Sequence, residues 1–318
     1  MEQVDTHDLN ALSLADFAAS LRRSGHIRRL IELARDEDLG NPVHDWTGEL
    51  MFGPDDQRRV RVRARQAGVL AGMTFMDDLL GVFDPSGTVK WKAALNDGDP
   101  IASGSVIAEL WGNARMIVAI ERTMLNLISR MSGIASLTGE FVSLIEGTNA
   151  RICDTRKTTP GIRAFEKFAV RCGGGTTHRM GLYDAVLIKD NHLAGIAGAD
   201  IPGKVESIVE QIRAHGTKLW FVQIEVDTLA QLEQVLKAKQ ETVDIVLLDN
   251  MTNEQLSNAV ALRDASKAAG GASPLLEASG GVSMDTVRSI AQCNVDRISI
   301  GGLTHQAQSL DIGLDAVE

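Results

Sequence analysis

Six positions in the second half of the chain carry residues suited to chemistry, each directly after a short aliphatic run. They are Asp154-Thr155-Arg156-Lys157, Lys189-Asp190-Asn191-His192, Glu225, Asp249-Asn250, Ser279-Gly280-Gly281 and Gly301-Gly302. Between Arg151 and His192 stand eight Lys or Arg (Arg151, Arg156, Lys157, Arg163, Lys167, Arg171, Arg179, Lys189) against four acids (Asp154, Glu166, Asp184, Asp190), in a chain whose formal net charge is -10. Arg156, Lys157, Arg179 and Lys189 flank the aliphatic runs and are candidates for an anion site, since cations bind carboxylate and phosphate through charge-assisted hydrogen bonds, Arg often bidentately. Arg163 and Lys167 are spaced for one face of a helix and are expected on a solvated basic face. The last two runs end in Ser279-Gly280-Gly281 and Ile300-Gly301-Gly302, where backbone N–H groups can approach a phosphate without hindrance from Cβ atoms. Glu225 and Asp249 remain. In a site built for anions they suit a divalent cation or sugar hydroxyls, and Mg2+ accepts one or two carboxylates with water and substrate phosphates completing its shell. The plainer reading is that each pairs with a neighbouring Lys. His178 and His192 lack metal-ligand spacing with any other His or Cys; His178, beside Arg179, is expected as a substrate contact. Gly173-Gly174-Gly175 reads as a hinge or a close-approach loop. Spacing alone thus points to an enzyme for a small polyanionic substrate, with Mg2+.

Those residues need a scaffold that brings strand ends together. The runs at 150–153, 185–188, 219–226, 243–248, 274–276 and 295–300 alternate with helix-like segments at 205–214, 229–238, 253–268 and 284–292. Buried strands alternating with helices mark a parallel sheet with crossover helices, whose C-terminal strand ends converge on one ligand-binding face. The class is α/β, and six strands are fewer than a closed eight-stranded barrel, so an open, incomplete barrel is expected. Upstream, residues 12–39 repeat apolar side chains at helical spacing, with Ser13 or Asp16 as cap. Arg59 to Arg65 alternates with period two as a strand with a basic outer face, and residues 89–110 read as β structure around an Asn96-Asp97-Gly98-Asp99-Pro100 turn. We divide the chain into a small α/β domain over residues 1–115 and a barrel domain over 116–302. The barrel domain opens with a helix over 116–145 interrupted at Ser132-Gly133.

Composition narrows the function classes. The 318 residues are 44% hydrophobic, too apolar for disorder, and no apolar run approaches the roughly 18 residues that cross a bilayer. The acidic balance argues against nucleic acid as a partner. Three widely spaced cysteines form no CxxC pair, and a cytoplasmic protein with reduced thiols is expected. Neither GxxxxGK[ST] nor GxGxxG occurs.

At these same residues the chain resembles the quinolinate phosphoribosyltransferase family. The likeness is carried by Glu121-Arg122-Thr123, Arg130-Met131-Ser132-Gly133-Ile134-Ala135, Asp154-Thr155-Arg156-Lys157-Thr158-Thr159-Pro160-Gly161, Arg171-Cys172-Gly173-Gly174-Gly175, His178-Arg179-Met180-Gly181-Leu182-Tyr183-Asp184 and Ile188-Lys189-Asp190-Asn191-His192. It continues through Leu248-Asp249-Asn250-Met251, Glu277-Ala278-Ser279-Gly280-Gly281 and Ile300-Gly301-Gly302-Leu303-Thr304-His305, and spans about residues 67 to 312. The resemblance implies an N-terminal α/β sandwich-like domain and an open α/β barrel, with the C-terminal segment 303–318 returning to the first domain. It implies a homodimer, or a higher assembly of dimers, whose active sites are shared, Arg122 being donated across the interface. Arg122, Arg156, His178, Arg179 and Lys189 would grip the two carboxylates of quinolinate, with Thr155 beside them. Lys157 would lie near both substrates. Glu225 and Asp249 would hold ribose hydroxyls and Mg2+, partly through water and substrate, so that Lys157, Glu225 and Asp249 form the catalytic set. Ser279-Gly280-Gly281 and Ile300-Gly301-Gly302 would cradle the 5′-phosphate.

The implied reaction joins quinolinate to phosphoribosyl pyrophosphate, releasing pyrophosphate and CO2 and giving nicotinate mononucleotide, without a covalent enzyme intermediate. The chain departs from the family pattern at Asn41-Pro42-Val43-His44-Asp45-Trp46-Thr47, where members carry Gly-Asp-hydrophobic-Thr-Thr. Two rivals are a paralogous phosphoribosyltransferase for another pyridine or base and a non-catalytic phosphometabolite-binding barrel. The intact Thr-Arg-Lys block and Lys189 segment oppose the first, and retention of both Glu225 and Asp249 opposes the second.

Overall fold

A computed structural model describes residues 8–317 apart from 194, 197, 217 and 218. Helices α1 (Leu14–Arg23), α2 (His26–Leu39) and α3 (Trp46–Met51) open the chain. Ser13, not Asp16, caps α1, its Oγ accepting the Asp16 N–H. The divergent segment leads into α3, whose N-cap is Asp45. Strands β1 (Gln57–Ala64), β2 (Gly68–Val69), β3 (Val89–Ala93), β4 (Pro100–Ile101) and β5 (Val106–Asn113) follow, with α4 (Met76–Phe83) between β2 and β3. The sequence reading contained no helix there. The Asn96–Pro100 turn supplies its support, because the Asp97 carboxylate accepts the backbone N–H groups of Gly72, Met73 and Thr74 ahead of α4.

The alternation in β1 is real: Val60, Val62 and Ala64 are buried while the arginines face outward. That basic face is neutralised by acids from the neighbouring strands. Arg59 and Arg61 pair with Glu109 on β5, and Arg63 and Arg65 pair with Asp315 on β12 (Ile312–Ala316). The sheet order β12-β1-β5-β3 is antiparallel throughout, so the end of the chain completes the sheet that its beginning starts.

Helix α5 (Ala114–Leu144) is continuous over 31 residues, where an interruption at Ser132-Gly133 was expected. The small pair marks close approach, not a break. Ser132 Oγ accepts the Ala71 N–H, and a Cβ on Gly133 would stand 1.9 Å from the Gln308 carbonyl oxygen. The helix therefore presses its small-residue stripe against both the N-terminal sheet region and the C-terminal return.

The six expected parallel strands are all present: β6 (Arg151–Cys153), β7 (Val186–Ile188), β8 (Val222–Val226), β9 (Ile245–Asp249), β10 (Leu275–Ser279) and β11 (Arg297–Ser299). Their order is β6-β11-β10-β9-β8-β7, so β6 and β7 form the two edges of an open barrel. Register explains the site. Glu225 pairs with Leu247, Glu277 with both Leu247 and Arg297, and Ser279 with both Asp249 and Ser299. With a side-chain period of two, these positions share the inner face, while Ile152, Ile224, Val246, Leu248, Leu276 and Ile298 pack outward in the core.

Candidate active site

The strand ends enclose a cavity of about 1100 Å3. Its walls include Thr155, Arg156, Lys157, His178, Arg179, Lys189, Glu225, Asp249, Ser279, Gly280, Gly281, Ile300, Gly301 and Gly302. Of the residues assigned to substrates or Mg2+, all are among them except Arg122, which stands exposed on α5 outside the cavity; of the strand-end motifs, Asp154, Asn191 and His192 do not line it.

The loop after β6 is held by buried charge. Lys167, expected on a solvated face, is fully buried and pairs with Asp154, and its Nζ also donates to the His178 carbonyl at 3.0 Å. The spacing correctly placed Lys167 on one side of α6 (Arg163–Cys172); what that side meets is a buried carboxylate. Arg163 is half-buried and ties the two basic loops together, donating to Thr158 Oγ1 and the Met180 carbonyl. Glu166, also fully buried, accepts from Arg130 Nη2, the Thr159 N–H and the Thr159 hydroxyl. Arg171 serves the N-terminal segment, reaching the carbonyls of Leu9 and Leu12. The glycine triplet is a close-approach loop: a Cβ on Gly173 would lie 2.3 Å from the Ala135 carbonyl oxygen.

Pinned this way, the loop presents Arg156 and Lys157 to the cavity, both exposed and, among the described residues, without an ion-pair partner. Lys157 lies across Gly301, where a Cβ would stand 2.7 Å from Lys157 Cδ. Arg179 is buried, its Nη1 donates to the Ala185 carbonyl at 3.0 Å, and burial followed by the nearby Arg156 charge lowers its pKa. Arg156 and Arg179 thus lie close enough for their charges to interact. Lys189 Nζ pairs with Glu225 Oε2 at 3.0 Å. The side chain of Asp190, in the same motif, lies outside the described residues.

His178 lines the cavity with both ring nitrogens engaged. Nδ1 accepts the Arg179 N–H at 2.8 Å, so the ring proton sits on Nε2 and is donated to Gln223 Oε1 at 2.7 Å. Burial pushes its pKa down to about 4, so the ring is neutral at neutral pH. Beneath it lies a layer that the sequence reading missed. Glu277 is fully buried; burial alone would raise its carboxyl, but the Arg297 guanidinium, 2.8 Å away, outweighs that and holds it below the usual carboxylate range. The signal was present in β11, where Arg297 and Ser299 alternate with Ile298 and Ile300 and so must face inward. Burial pushes the Cys153 thiol up to about 12, which leaves it protonated and disqualifies it as a nucleophile.

The glycine ends behave as the sequence suggests. Gly280 has φ +93°, a left-handed region open to glycine, and the N-terminus of the helix Met284–Ala291 borders the same cavity. Glu225 and Asp249 rise from adjacent strands on the inner face. Among the described residues no three or more His, Cys, Asp or Glu gather, so no all-protein metal cage forms. Two hard oxygen donors beside exposed cations have the chemistry to hold a Mg2+ whose shell water and phosphate oxygens would complete.

The family model described as quinolinate phosphoribosyl transferase, C-terminal domain, matches residues 134–315, and its N-terminal counterpart matches residues 45–132. The chain is 35% identical over 279 residues to a probable nicotinate-nucleotide pyrophosphorylase (carboxylating) of Bacillus subtilis, covering 88% of this chain and 89% of that one. It is 40% identical over 255 residues to the nicotinate-nucleotide pyrophosphorylase (carboxylating) of Mycobacterium leprae, covering 79% and 84%. The solved structure of the nicotinate-nucleotide pyrophosphorylase from Francisella tularensis superposes with a TM-score of 0.78 at 33% identity, covering 92% of this chain and 96% of that one.

Proposed function

The chain belongs to the quinolinate phosphoribosyltransferase family, and from that premise we propose how its residues carry the family's reaction. The enzyme transfers the phosphoribosyl group of phosphoribosyl pyrophosphate to quinolinate with decarboxylation, giving nicotinate mononucleotide for NAD synthesis. The observation that carries the assignment of roles is the pair of unneutralised cations, Arg156 and Lys157, facing Glu225 and Asp249 across one cavity.

Arg156 and Arg179 grip the quinolinate carboxylates, with Thr155 and Lys189 at the same wall and the neutral His178 ring fixing the Arg179 backbone beneath. Lys189 trades its Glu225 partner for substrate, leaving that carboxylate to a ribose hydroxyl. Lys157, spanning from the basic loop to Gly301, lies between the two substrates. The 5′-phosphate rests on Ser279-Gly280-Gly281 and Ile300-Gly301-Gly302. Glu225 and Asp249 would hold Mg2+, which supplies charge neutralisation to the departing pyrophosphate. The ring nitrogen attacks the anomeric carbon as pyrophosphate leaves; the positive ring nitrogen then stabilises the electron pair left on C2 when the 2-carboxylate departs as CO2, and C2 takes a proton from water to give nicotinate mononucleotide. With His178 neutral and Cys153 protonated, catalysis rests on positioning and fixed charge.

Arg122 is exposed on α5 and reaches a site in a homodimer, donated to the partner's cavity. Mixing Arg122→Ala subunits with subunits inactivated at Lys189 then restores part of the activity; demonstrated heterodimers with no rescue contradict the sharing. Three buried free thiols support a reducing compartment, the cytoplasm. A coupled assay with quinolinate, phosphoribosyl pyrophosphate and Mg2+ tests the whole reading. Equimolar nicotinate mononucleotide and CO2, abolished by EDTA, is the expected result. No product while phosphoribosyl pyrophosphate still binds would transfer the reading to another pyridine acceptor.

A further inference from the structure

We infer that Asn250 is a positioning residue that aims the Asp249 carboxylate and couples it to the glycine loop after β10. This rests on the catalytic role proposed for Asp249.

Two acids face the cavity from adjacent strands, and they are held differently. Glu225 is paired with an ammonium, Lys189 Nζ, at 3.0 Å. Asp249 has no ion-pair partner among the described residues; its Oδ2 accepts a hydrogen bond from Asn250 Nδ2 at 2.7 Å. A neutral amide fixes the orientation of a carboxylate without cancelling its charge. An ammonium in the same place would compete with a divalent cation or with ribose hydroxyls. Asn250 thus leaves Asp249 oriented, without a counter-ion among the described residues and with Oδ1 free of the amide.

The same residue reaches the end of the neighbouring strand, β10. Its backbone N–H donates to the Ser279 carbonyl at 2.8 Å, and its Oδ1 lies so close to Gly280 that a Cβ there would stand 2.1 Å away. The contacts require an unusual backbone: Asn250 has φ +53°, in the left-handed region that Asn, Asp and Gly enter at low cost and other residues resist. A left-handed turn at this point carries the chain away from β9 while turning the short amide back onto Asp249. Ribose-side carboxylate and phosphate-side glycines are thereby set at a fixed separation by one side chain.

The backbone preference makes the test discriminating. Asn250→Asp and Asn250→Gly both accept the left-handed conformation, so a residue that serves only the turn tolerates both. Asn250→Asp cannot donate to Asp249, and Asn250→Gly also loses the contact with Gly280. The expected result for both is turnover reduced about tenfold, the scale of a lost hydrogen bond to a charged group. Calorimetric affinity for phosphoribosyl pyrophosphate with Mg2+ falls in parallel. Quinolinate affinity stays within about twofold, because the basic loop is untouched. Wild-type turnover and phosphoribosyl pyrophosphate affinity in either folded variant overturn the inference. Asp249→Asn, measured alongside, separates the two ideas. An unimpaired Asp249→Asn enzyme overturns the role of Asp249 and Asn250 with it, whereas an impaired one beside intact Asn250 variants overturns Asn250 alone.

Discussion

Two populations of charge surround the cavity, and they differ in whether the chain itself supplies their partners. Below and behind it, Lys167 meets Asp154, Arg130 meets Glu166 and Arg297 meets Glu277, with all three carboxylates fully buried. At the mouth, Arg156 and Lys157 are exposed without an ion-pair partner among the described residues. The first population fixes loops; the second is left open, and on the proposed function it meets the anions of the substrates. Sign and spacing alone do not separate them: Lys167 and Asp154 arise from the same stretch of sequence as Arg156 and Lys157.

The largest effect comes from breaking the buried population. Lys167→Met leaves Asp154 as an uncompensated buried carboxylate, and we expect a loss of about 3–5 kcal/mol in denaturant unfolding. A loss below about 1 kcal/mol would return Lys167 to a surface role. His178 sharpens the same point through pH. Its folded pKa lies at about 4, below the ordinary 6.5, so between those values the unfolded chain binds a proton that the folded one refuses. Stability is therefore full above pH 6.5 and falls as pH drops toward 4, by on the order of 3 kcal/mol from this group. His178→Asn makes that limb of a stability-against-pH curve shallower; an unchanged slope contradicts the buried neutral ring.

On the catalytic side, Glu225→Gln and Asp249→Asn lower turnover more than they weaken quinolinate binding. Wild-type turnover at saturating substrates in either variant removes that residue from ribose or Mg2+ handling. Smallest of all is the pair on the N-terminal sheet. Asp315→Asn leaves Arg63 and Arg65 in solvent and moves the melting temperature little, since exposed ion pairs contribute little in water.

The legible parts of the sequence were those governed by periodicity and by strand-end chemistry. Six aliphatic runs became six parallel strands, and each run contributes at least one of the residues behind it to one cavity because parallel strands end on the same side. What periodicity cannot show is the surface that a face meets. Four-residue spacing marks a shared face and suggests solvent for Lys167, yet Asp154, 13 positions away, supplies its buried partner. Ser132-Gly133 reads as a break by composition, whereas the return of Gln308 requires small residues inside an unbroken helix. Arg297, Gln223 and Asn250 belong to no motif of charge spacing. Alternation marks the inward face of Arg297, but its partner Glu277, the Gln223 contact with His178 and the left-handed turn at Asn250 appear only once β8 to β11 are paired. Arg122, chosen on the family likeness, stands outside the cavity of its own chain.

The distinction between the two populations is tested most directly by titrating quinolinate into the wild-type enzyme and into Arg156→Ala while following the melting temperature of each. An open cation reserved for substrate predicts affinity lowered by about tenfold to a hundredfold, phosphoribosyl pyrophosphate binding retained and the melting temperature nearly unchanged. Undiminished quinolinate affinity, or a loss of stability like that of Lys167→Met, would contradict it.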